Sequence, residues 1–134
     1  MADAATQSAM DVTTKISSRT VADTVSCLTQ LLAAKGMKLF DTIDQSAEAQ
    51  GAGLELRDTT LVIFGSPAAG TAVMAAAPMS ALDLPLKVLV WDDSGQTKVS
   101  YYAPAGLAAR HHLDAALAAK LAGIDPLTDA LIAQ

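Results

Sequence analysis

The sequence of 134 residues is poor in cysteine and in positive charge. Its single cysteine, Cys27, excludes an intramolecular disulfide and disfavours a metal site built from thiolates. Nine Lys and Arg face fourteen Asp and Glu, which gives a formal net charge of −5. We therefore predict no nucleic-acid partner and no binding to an anionic membrane surface, because both need clustered Lys and Arg.

Long apolar runs are also missing. No segment approaches the roughly 18 uninterrupted apolar residues of a membrane-spanning helix. The first ten residues have neither the basic start nor the apolar run of a signal peptide, so we predict a cytoplasmic protein. Residues 1–9 are expected to form a flexible tail, and residues 10–134 a single domain.

Aromatic residues make up only 4% of the chain, although 51% of its residues are hydrophobic. Alanine accounts for much of the apolar content and buries little area per residue. The core therefore depends on close approach between helices and sheet, with Leu, Ile, Val and Met filling the remaining space. Met74 and Met79 flank one alanine-rich segment and are expected to fill the core or to line an apolar groove.

Alternating and near-continuous apolar segments predict five strands. These strands cover residues 11–17, 37–43, 59–64, 86–91 and 98–103. Between the last two, Asp92-Asp93-Ser94-Gly95 is typical of a β-hairpin turn. The strand over 86–91 is apolar on both faces apart from Lys87, which indicates an interior strand.

Helical periodicity and capping residues predict the helices. They cover residues 20–35, 46–50 and 67–77, and the chain is expected to be helical from Pro104 to its end, with one piece over 113–121 and a terminal stretch from Asp125. Thr20, Ser46, Ser66 and Asp125 are the expected N-caps, and Gly36 ends the first helix in a left-handed conformation. The fold class predicted from this order is α+β, with an antiparallel sheet of about five strands and helices on one face.

Several separate motifs between Lys35 and Leu113 resemble the domain of unknown function 302 family of bacteria and archaea. The residues that carry the resemblance are Gly36, Phe40, Ile43-Asp44, Phe64-Gly65-Ser66-Pro67, Leu84-Pro85-Leu86-Lys87-Val88-Leu89-Val90, Tyr101, Pro104 and Ala109-Arg110-His111. The resemblance implies a fold similar to a single copy of the TATA-box-binding-protein fold, with a curved antiparallel sheet, and it implies a homodimer.

The biochemical function of that family is not established, so the resemblance implies no catalytic residue. This sequence departs from the family pattern at three positions. Gln45 stands where a His is usual, Ser66 where an Asn is usual, and Ala68 where a Lys is usual. If that His or Lys serves a shared chemistry, this protein has lost or altered it.

The segment from Gly65 to Gly70 superficially resembles a phosphate-binding loop. However, Thr71 replaces the required Lys, and Pro67 removes one N–H from the helix start. Ser66 is therefore predicted to be a plain N-cap, and the Gly-x-Ser-x-Gly elbow of serine hydrolases is absent.

Two adjacent histidines, His111 and His112, would point about 100° apart on a helix and could not easily share one metal ion. Further ligands would have to come from Cys27, Asp44 or Asp114, which have no telling spacing. We predict no metal and no cofactor. His111 is kept as a candidate proton carrier beside its ordinary role as a surface histidine.

Lys87 is the most informative polar residue because it lies in the apolar strand Leu86–Trp91. Strand alternation places it on the same face as Leu89 and Trp91, where its amine must pair, reach the sheet edge or meet a ligand. Asp44 or Asp92 are the expected partners. The predicted pocket between sheet and helices comprises Lys87, Tyr101, Ser66, Asp44, Trp91 and His111.

Three functions are compatible with these residues. The first is a homodimeric module without enzymatic activity that binds a small, partly apolar or anionic molecule, or a protein partner. The second is an enzyme that uses Lys87, Tyr101 or His111 for proton transfer. The third is a purely structural or interaction role that depends on the terminal helices.

Overall fold

A computed structural model describes residues 11–134 of the chain. The predicted tail over residues 1–9 lies outside the described residues. The strands are β1 (Val12–Ser17), β2 (Lys38–Asp44), β3 (Thr59–Gly65), β4 (Leu86–Asp93) and β5 (Gln96–Tyr102). The helices are α1 (Val21–Ala34), α2 (Gln45–Gly51), α3 (Pro67–Ala76), α4 (Pro104–Arg110), α5 (Ala115–Ala119) and α6 (Ile124–Ile132), with a 3₁₀ helix over Pro78–Leu82.

The strands form one antiparallel sheet in the order β1-β5-β4-β3-β2. This arrangement confirms the predicted α+β fold class. β4 is the central strand, as its apolar sequence predicts, because both of its long edges are paired.

The two faces of the sheet differ in what covers them. On the helix side, Leu86, Val88 and Val90 of β4 are buried, and α1 packs against β2, β3 and β4 while α6 packs against β1. On the other side, Lys87 and Leu89 are only half-buried. We call this second side the open face.

The long helix α1 begins and ends where its sequence predicts. The Thr20 hydroxyl accepts a hydrogen bond from the Asp23 N–H, and Leu28 and Leu32 of the apolar stripe are fully buried. Gly36 follows the helix with a φ of 69°, a backbone conformation that side chains with a Cβ rarely adopt.

The predicted hairpin is confirmed, with Ser94 and Gly95 as its two central residues. Both have positive φ, 53° and 94°, which matches the twist of the flanking strands. The Asp92 carboxylate fixes the turn by accepting a hydrogen bond from the Gly95 N–H.

Three local predictions were wrong. Asp44, not Ser46, caps α2, because its Oδ1 accepts from the Ala47 N–H at 2.9 Å and from the Ser46 hydroxyl. Asp125 lies inside the first turn of α6 and bonds to Tyr101 instead of capping. His111 and His112 follow the end of α4, so they do not share a helix.

No helix within residues 11–134 combines the length and apolarity needed to cross a bilayer.

Candidate functional site

A cleft of about 350 Å³ opens at the end of the sheet where strands β2 and β4 begin and β3 ends. Its walls come from Met37, Phe40, residues 65–67, residues 69–71, Met74, residues 84–86 and residues 120–121. Small residues at Gly65, Ala69 and Gly70 leave the space, while Phe40 and Met74 supply apolar surface. We call this end of the strands the cleft end, and the opposite end, with the β4–β5 hairpin, the turn end.

The local sequence explains why β3 opens into this space. Gly65 ends the strand, and a Cβ built on it would come within 3.9 Å of the Phe40 ring and 3.8 Å of Pro85. Ser66 then caps α3 with Pro67 as the first helical residue, as predicted. The chain therefore turns away from the sheet without a bulky side chain in the gap.

The polar groups of the cleft are few. Lys120 is the one charged residue among those that line it, and Ser66 and Thr71 contribute hydroxyls. The Ser66 Oγ lies 3.4 Å from the Ala69 nitrogen, so it accepts only a long capping bond, and its own O–H stays free to donate. Within residues 11–134, Lys120 has no salt-bridge partner.

A basic cluster lies just beyond the Leu84–Pro85 segment of the cleft wall. The Asp83 carboxylate lies 2.6 Å from Nε2 of His111 and 3.3 Å from Nε of Arg110. The Lys87 amine donates to the carbonyl oxygens of Asp83 and Pro85, at 3.2 and 3.3 Å. The predicted pairing of Lys87 with Asp44 or Asp92 was therefore wrong, because the amine turns back to the backbone just before its own strand.

Tyr101 lies on the helix side of the sheet and is only 4% exposed. Its hydroxyl donates to the Asp125 carboxylate, and the Lys15 amine lies 5.3 Å from its ring centre. Tyr101 and Lys87 thus point to opposite faces. The enzyme hypothesis, which uses Lys87, Tyr101 or His111, requires two titratable groups to converge in one cleft. The Tyr101 hydroxyl and the Lys87 amine lie on opposite faces of the sheet, so these two groups do not converge.

Lys15 completes the polar contacts that join β1 to α6. Its amine, whose side chain is 16% exposed, donates to the Thr128 hydroxyl at 2.6 Å and to the Asp129 carboxylate at 2.8 Å. Burial alone lowers the pKa of Lys15, but the hydrogen bonds to Asp129 and Tyr101 outweigh it and raise the pKa above 10.5. These contacts hold α6 against the sheet. Because the Lys15 amine and the Tyr101 hydroxyl are already bonded within the protein, they favour a structural role for both groups.

The remaining candidates lie elsewhere. The Trp91 indole, on the open face, donates to the Ser100 hydroxyl at 3.0 Å. Asp44 lies at the turn end, where the Ser46 hydroxyl and then the Ala47 N–H lower its pKa. Of the six residues predicted to form one pocket, only Ser66 lines the cleft. Lys87 and His111 both bond to Asp83, and Lys87 and Tyr101 both border a depression on the open face.

Two other depressions compare less well with a ligand site. One, of about 570 Å³ at the turn end, mixes Arg19 with Asp58 and Asp92 and has a polar lining. The other, of about 330 Å³, lies on the open face beside Lys87 and Leu89. The cleft is more enclosed than either of them and its lining is mostly apolar, which is the usual character of a small-molecule site.

Metal ligands do not converge in the part of the chain that is described. Across residues 11–134, no group of three or more His, Cys, Asp or Glu side chains is placed to hold a metal ion.

Comparison with known proteins identifies the family. The model of the domain of unknown function DUF302 matches residues 12–131, and the chain belongs to this family. A crystal structure of an uncharacterized conserved DUF302 protein from Bacillus stearothermophilus has the same fold, with a TM-score of 0.77 at 21% identity. The match covers 91% of this chain and 95% of that one.

Longer proteins also match. "Fluoride-specific ion channel FluC 1" of Brucella suis biovar 1 and its namesake of Brucella abortus biovar 1 are each 38% identical over 117 residues. The match covers 84% of this chain, but only 46% and 43% of these relatives. The chain thus spans less than half the length of the curated relatives it matches.

Proposed function

We propose that this DUF302 family member is a small-molecule-binding module and that the cleft is its binding site. The observation that carries the proposal is a convergence. Motif residues from three separate segments, which mark the resemblance to the family, line this one space. They are Phe40, Gly65-Ser66-Pro67 and Leu84-Pro85-Leu86.

The chemistry of the walls supports binding of an at least partly apolar ligand. Phe40 is 43% exposed at the mouth, although burying an aromatic ring is strongly favourable. Met74 can adjust its shape to an incoming group, because its side chain is unbranched and flexible. A ligand that covers these side chains would remove apolar surface from water.

An uncharged fluorophore tests this proposal without assuming the ligand. N-phenyl-1-naphthylamine brightens in apolar surroundings, and we expect the wild-type protein to raise its emission. Ala69→Leu fills the cleft and Thr71→Trp crowds its mouth, so both variants should weaken the effect at least fivefold. Ala22→Leu, an equal change on α1 at the turn end, should leave it intact.

Circular dichroism would confirm that each variant keeps its fold. Equal fluorophore binding by folded Ala69→Leu and Thr71→Trp proteins would contradict a site in the cleft.

We propose further that two copies associate through the open face. Leu61, Leu89 and Trp91 are half-buried there, and Tyr102 is exposed. Five strands about 4.8 Å apart and about 20 Å long give this face an area on the order of 500 Å², so two copies would bury about 1,000 Å² together, the lower limit for a specific interface. A homodimer would cover it.

Light scattering at known concentration tests the dimer. Leu89→Lys should give a monomer, whereas Leu82→Lys, at an exposed leucine of the 3₁₀ helix, should leave the dimer intact. A dimer that survives Leu89→Lys would place the interface elsewhere. Dimerisation through the terminal helix is less favoured, because Ile124, Leu127 and Leu131 of α6 belong to the protein's own core.

A second candidate role comes from the curated relatives. Their names describe fluoride-specific ion channels, and this chain corresponds to less than half of each. We propose that this chain is a binding module that acts on such a channel.

Fluoride efflux from liposomes tests this role. The Brucella suis relative would be reconstituted whole and without the part that matches this chain. We expect the deletion to change the efflux rate or its control by added ligands, and this chain to restore the original behaviour. Identical efflux in all three preparations would contradict the channel role and leave the cleft proposal standing. The cytoplasmic location stays a prediction.

A further inference from the structure

We infer that the cleft selects a small amphipathic monoanion of the medium-chain carboxylate class, with its carboxylate at Lys120 and its chain between Phe40 and Met74. This inference rests on the proposed function, since it names the ligand class of the same site.

The polar groups that line the cleft are matched to an anion. Lys120 offers an ammonium group, and the hydroxyls of Ser66 and Thr71 offer O–H donors. No Asp or Glu is among the lining residues. A ligand with two carboxylate oxygens would give these donors acceptors, whereas an ammonium ligand would meet only like charge.

The surroundings of the cleft reinforce its positive sign. Lys38 lies with its amine 5.1 Å from the ring centre of Phe40, at the mouth. Lys35 precedes β2 at the same end, and Lys87 and Arg110 lie beyond the Leu84–Pro85 wall. Asp83 is the acidic group of this cluster, and its carboxylate is already bonded to His111 and Arg110. The field at the mouth therefore attracts anions, although the whole chain carries a net charge of −5.

The volume of the cleft and its apolar walls argue for an apolar tail on the anion. A volume of about 350 Å³ far exceeds the need of an inorganic ion, and most of its walls are carbon. A bare anion would leave Met74, Leu84 and the Phe40 ring without a partner. Each methylene that enters should tighten binding about fourfold, until the chain reaches the end of the cleft.

The test is a series of titrations of the full chain. Binding is measured by calorimetry or by displacement of N-phenyl-1-naphthylamine. Butanoate, hexanoate, octanoate and decanoate would be compared, below their micelle concentrations, with 1-octanol and octylammonium. We expect affinity to rise along the carboxylates and octylammonium to bind more weakly than octanoate. Vesicles of phosphatidylglycerol form a separate arm, because a lipid surface presents anions and apolar chains too.

Two charge variants locate the carboxylate. Lys120→Met should lower the ratio of octanoate to 1-octanol affinity about threefold, and adding Lys38→Met should lower it further. Arg57→Met removes the same charge at the turn end, where Arg57 is 3.8 Å from Asp93, and should leave the ratio unchanged.

The outcomes separate the two proposals. The anion assignment is overturned if Lys120→Met leaves the ratio of octanoate to 1-octanol affinity unchanged, or if octylammonium binds as tightly as octanoate. In either case, binding of 1-octanol would still support the cleft as a binding site. Binding to the vesicles without binding to free octanoate also overturns it, in favour of a membrane surface. Failure of every probe, including N-phenyl-1-naphthylamine, overturns the ligand class and the proposed function together.

Discussion

The two ends of the sheet differ in the sign of the charge that prevails there. Basic residues gather at the cleft end, namely Lys35, Lys38, Lys87, Arg110 and Lys120. Acidic residues outnumber basic ones at the turn end, where Asp23, Asp44, Glu55, Asp58, Asp92 and Asp93 lie with Arg19, Arg57 and Lys98. At the cleft end, Asp83 is the acidic group paired with the basic residues. The fold produces this division, because the antiparallel strands bring distant parts of the sequence to one edge.

The difference shows what a net charge can hide. A total of −5 argues against nucleic acid as a partner, and taken alone it argues equally against any anion. Charges act over a Debye length of about 10 Å at moderate salt, so a small ligand responds to one end of the sheet and not to the total. The cleft end and the turn end are therefore different environments for a ligand of a given charge.

The largest expected effect compares the two ends of one strand. Phe64 and Thr60 both point from β3 into the helix side, at the cleft end and the turn end. Phe64→Ala should lower the free energy of unfolding by about 3–5 kcal/mol, because a fully buried ring is lost. Thr60→Ala should cost about 1 kcal/mol or less. Urea unfolding measures both, and equal losses would contradict the larger contribution of the Phe64 ring to stability.

The next effect concerns the helix caps at the two ends. Asp44→Ala removes a 2.9 Å capping bond at the turn end and should lower the melting temperature by about 3 °C. Ser66→Ala removes a 3.4 Å bond at the cleft end and should lower it by about 1 °C. Differential scanning calorimetry distinguishes the two. A larger loss at Ser66 would mean that its hydroxyl does more than cap α3.

The same two caps should differ in their dependence on pH. Hydrogen bonds from Ser46 and Ala47 hold the pKa of Asp44 below its ordinary value of 3.8. The stabilisation is therefore complete above that value and is lost as the pH falls through the lower pKa of the folded state. The melting difference between wild type and Asp44→Ala should be constant from about pH 5 to 7 and close in stronger acid.

Ser66 has no titrating group, so the melting difference between wild type and Ser66→Ala should not change over this range. A difference for Asp44→Ala that persists in strong acid would show that its carboxylate does not act through its charge.

The smallest effect is the response of the cleft to salt. Lys120 is exposed at the rim, so its attraction for a carboxylate is screened. Raising the salt concentration from about 0.05 to about 0.5 M should lower the ratio of octanoate to 1-octanol affinity about twofold. A ratio that does not respond would locate the carboxylate away from the lysines.

Local patterns predicted most of the fold. The apolar stripe of α1, the hairpin at Ser94-Gly95 and the Ser66 cap each depend on neighbours within a few residues, and each is confirmed. The cap of α2 was misjudged by two residues, because Asp44 and Ser46 are both good capping residues and only their geometry decides between them.

The candidate site depended on contacts that no local pattern contains. Strand alternation placed Lys87 correctly, but it could not reveal that Tyr101 faces the other way, since that depends on the register of β5 with β4. The role of Asp83 was not predicted, because no residue near it in the sequence marks it as the partner of His111, 28 residues further on. From the sequence alone, the small residues of Gly65–Gly70 resembled only a phosphate-binding loop without its lysine. They line a cleft because the fold brings Phe40, Leu84 and Lys120 beside them from other segments.

The most direct test of the cleft as the binding site is a titration of ¹⁵N-labelled protein with octanoate, followed by backbone amide shifts. We predict that the amides of Gly65, Gly70 and Leu84 at the cleft end move with one common affinity, while Gly95 and Thr97 at the turn end stay in place. Shifts centred on the hairpin or on the open face, with the cleft amides unmoved, would contradict the account.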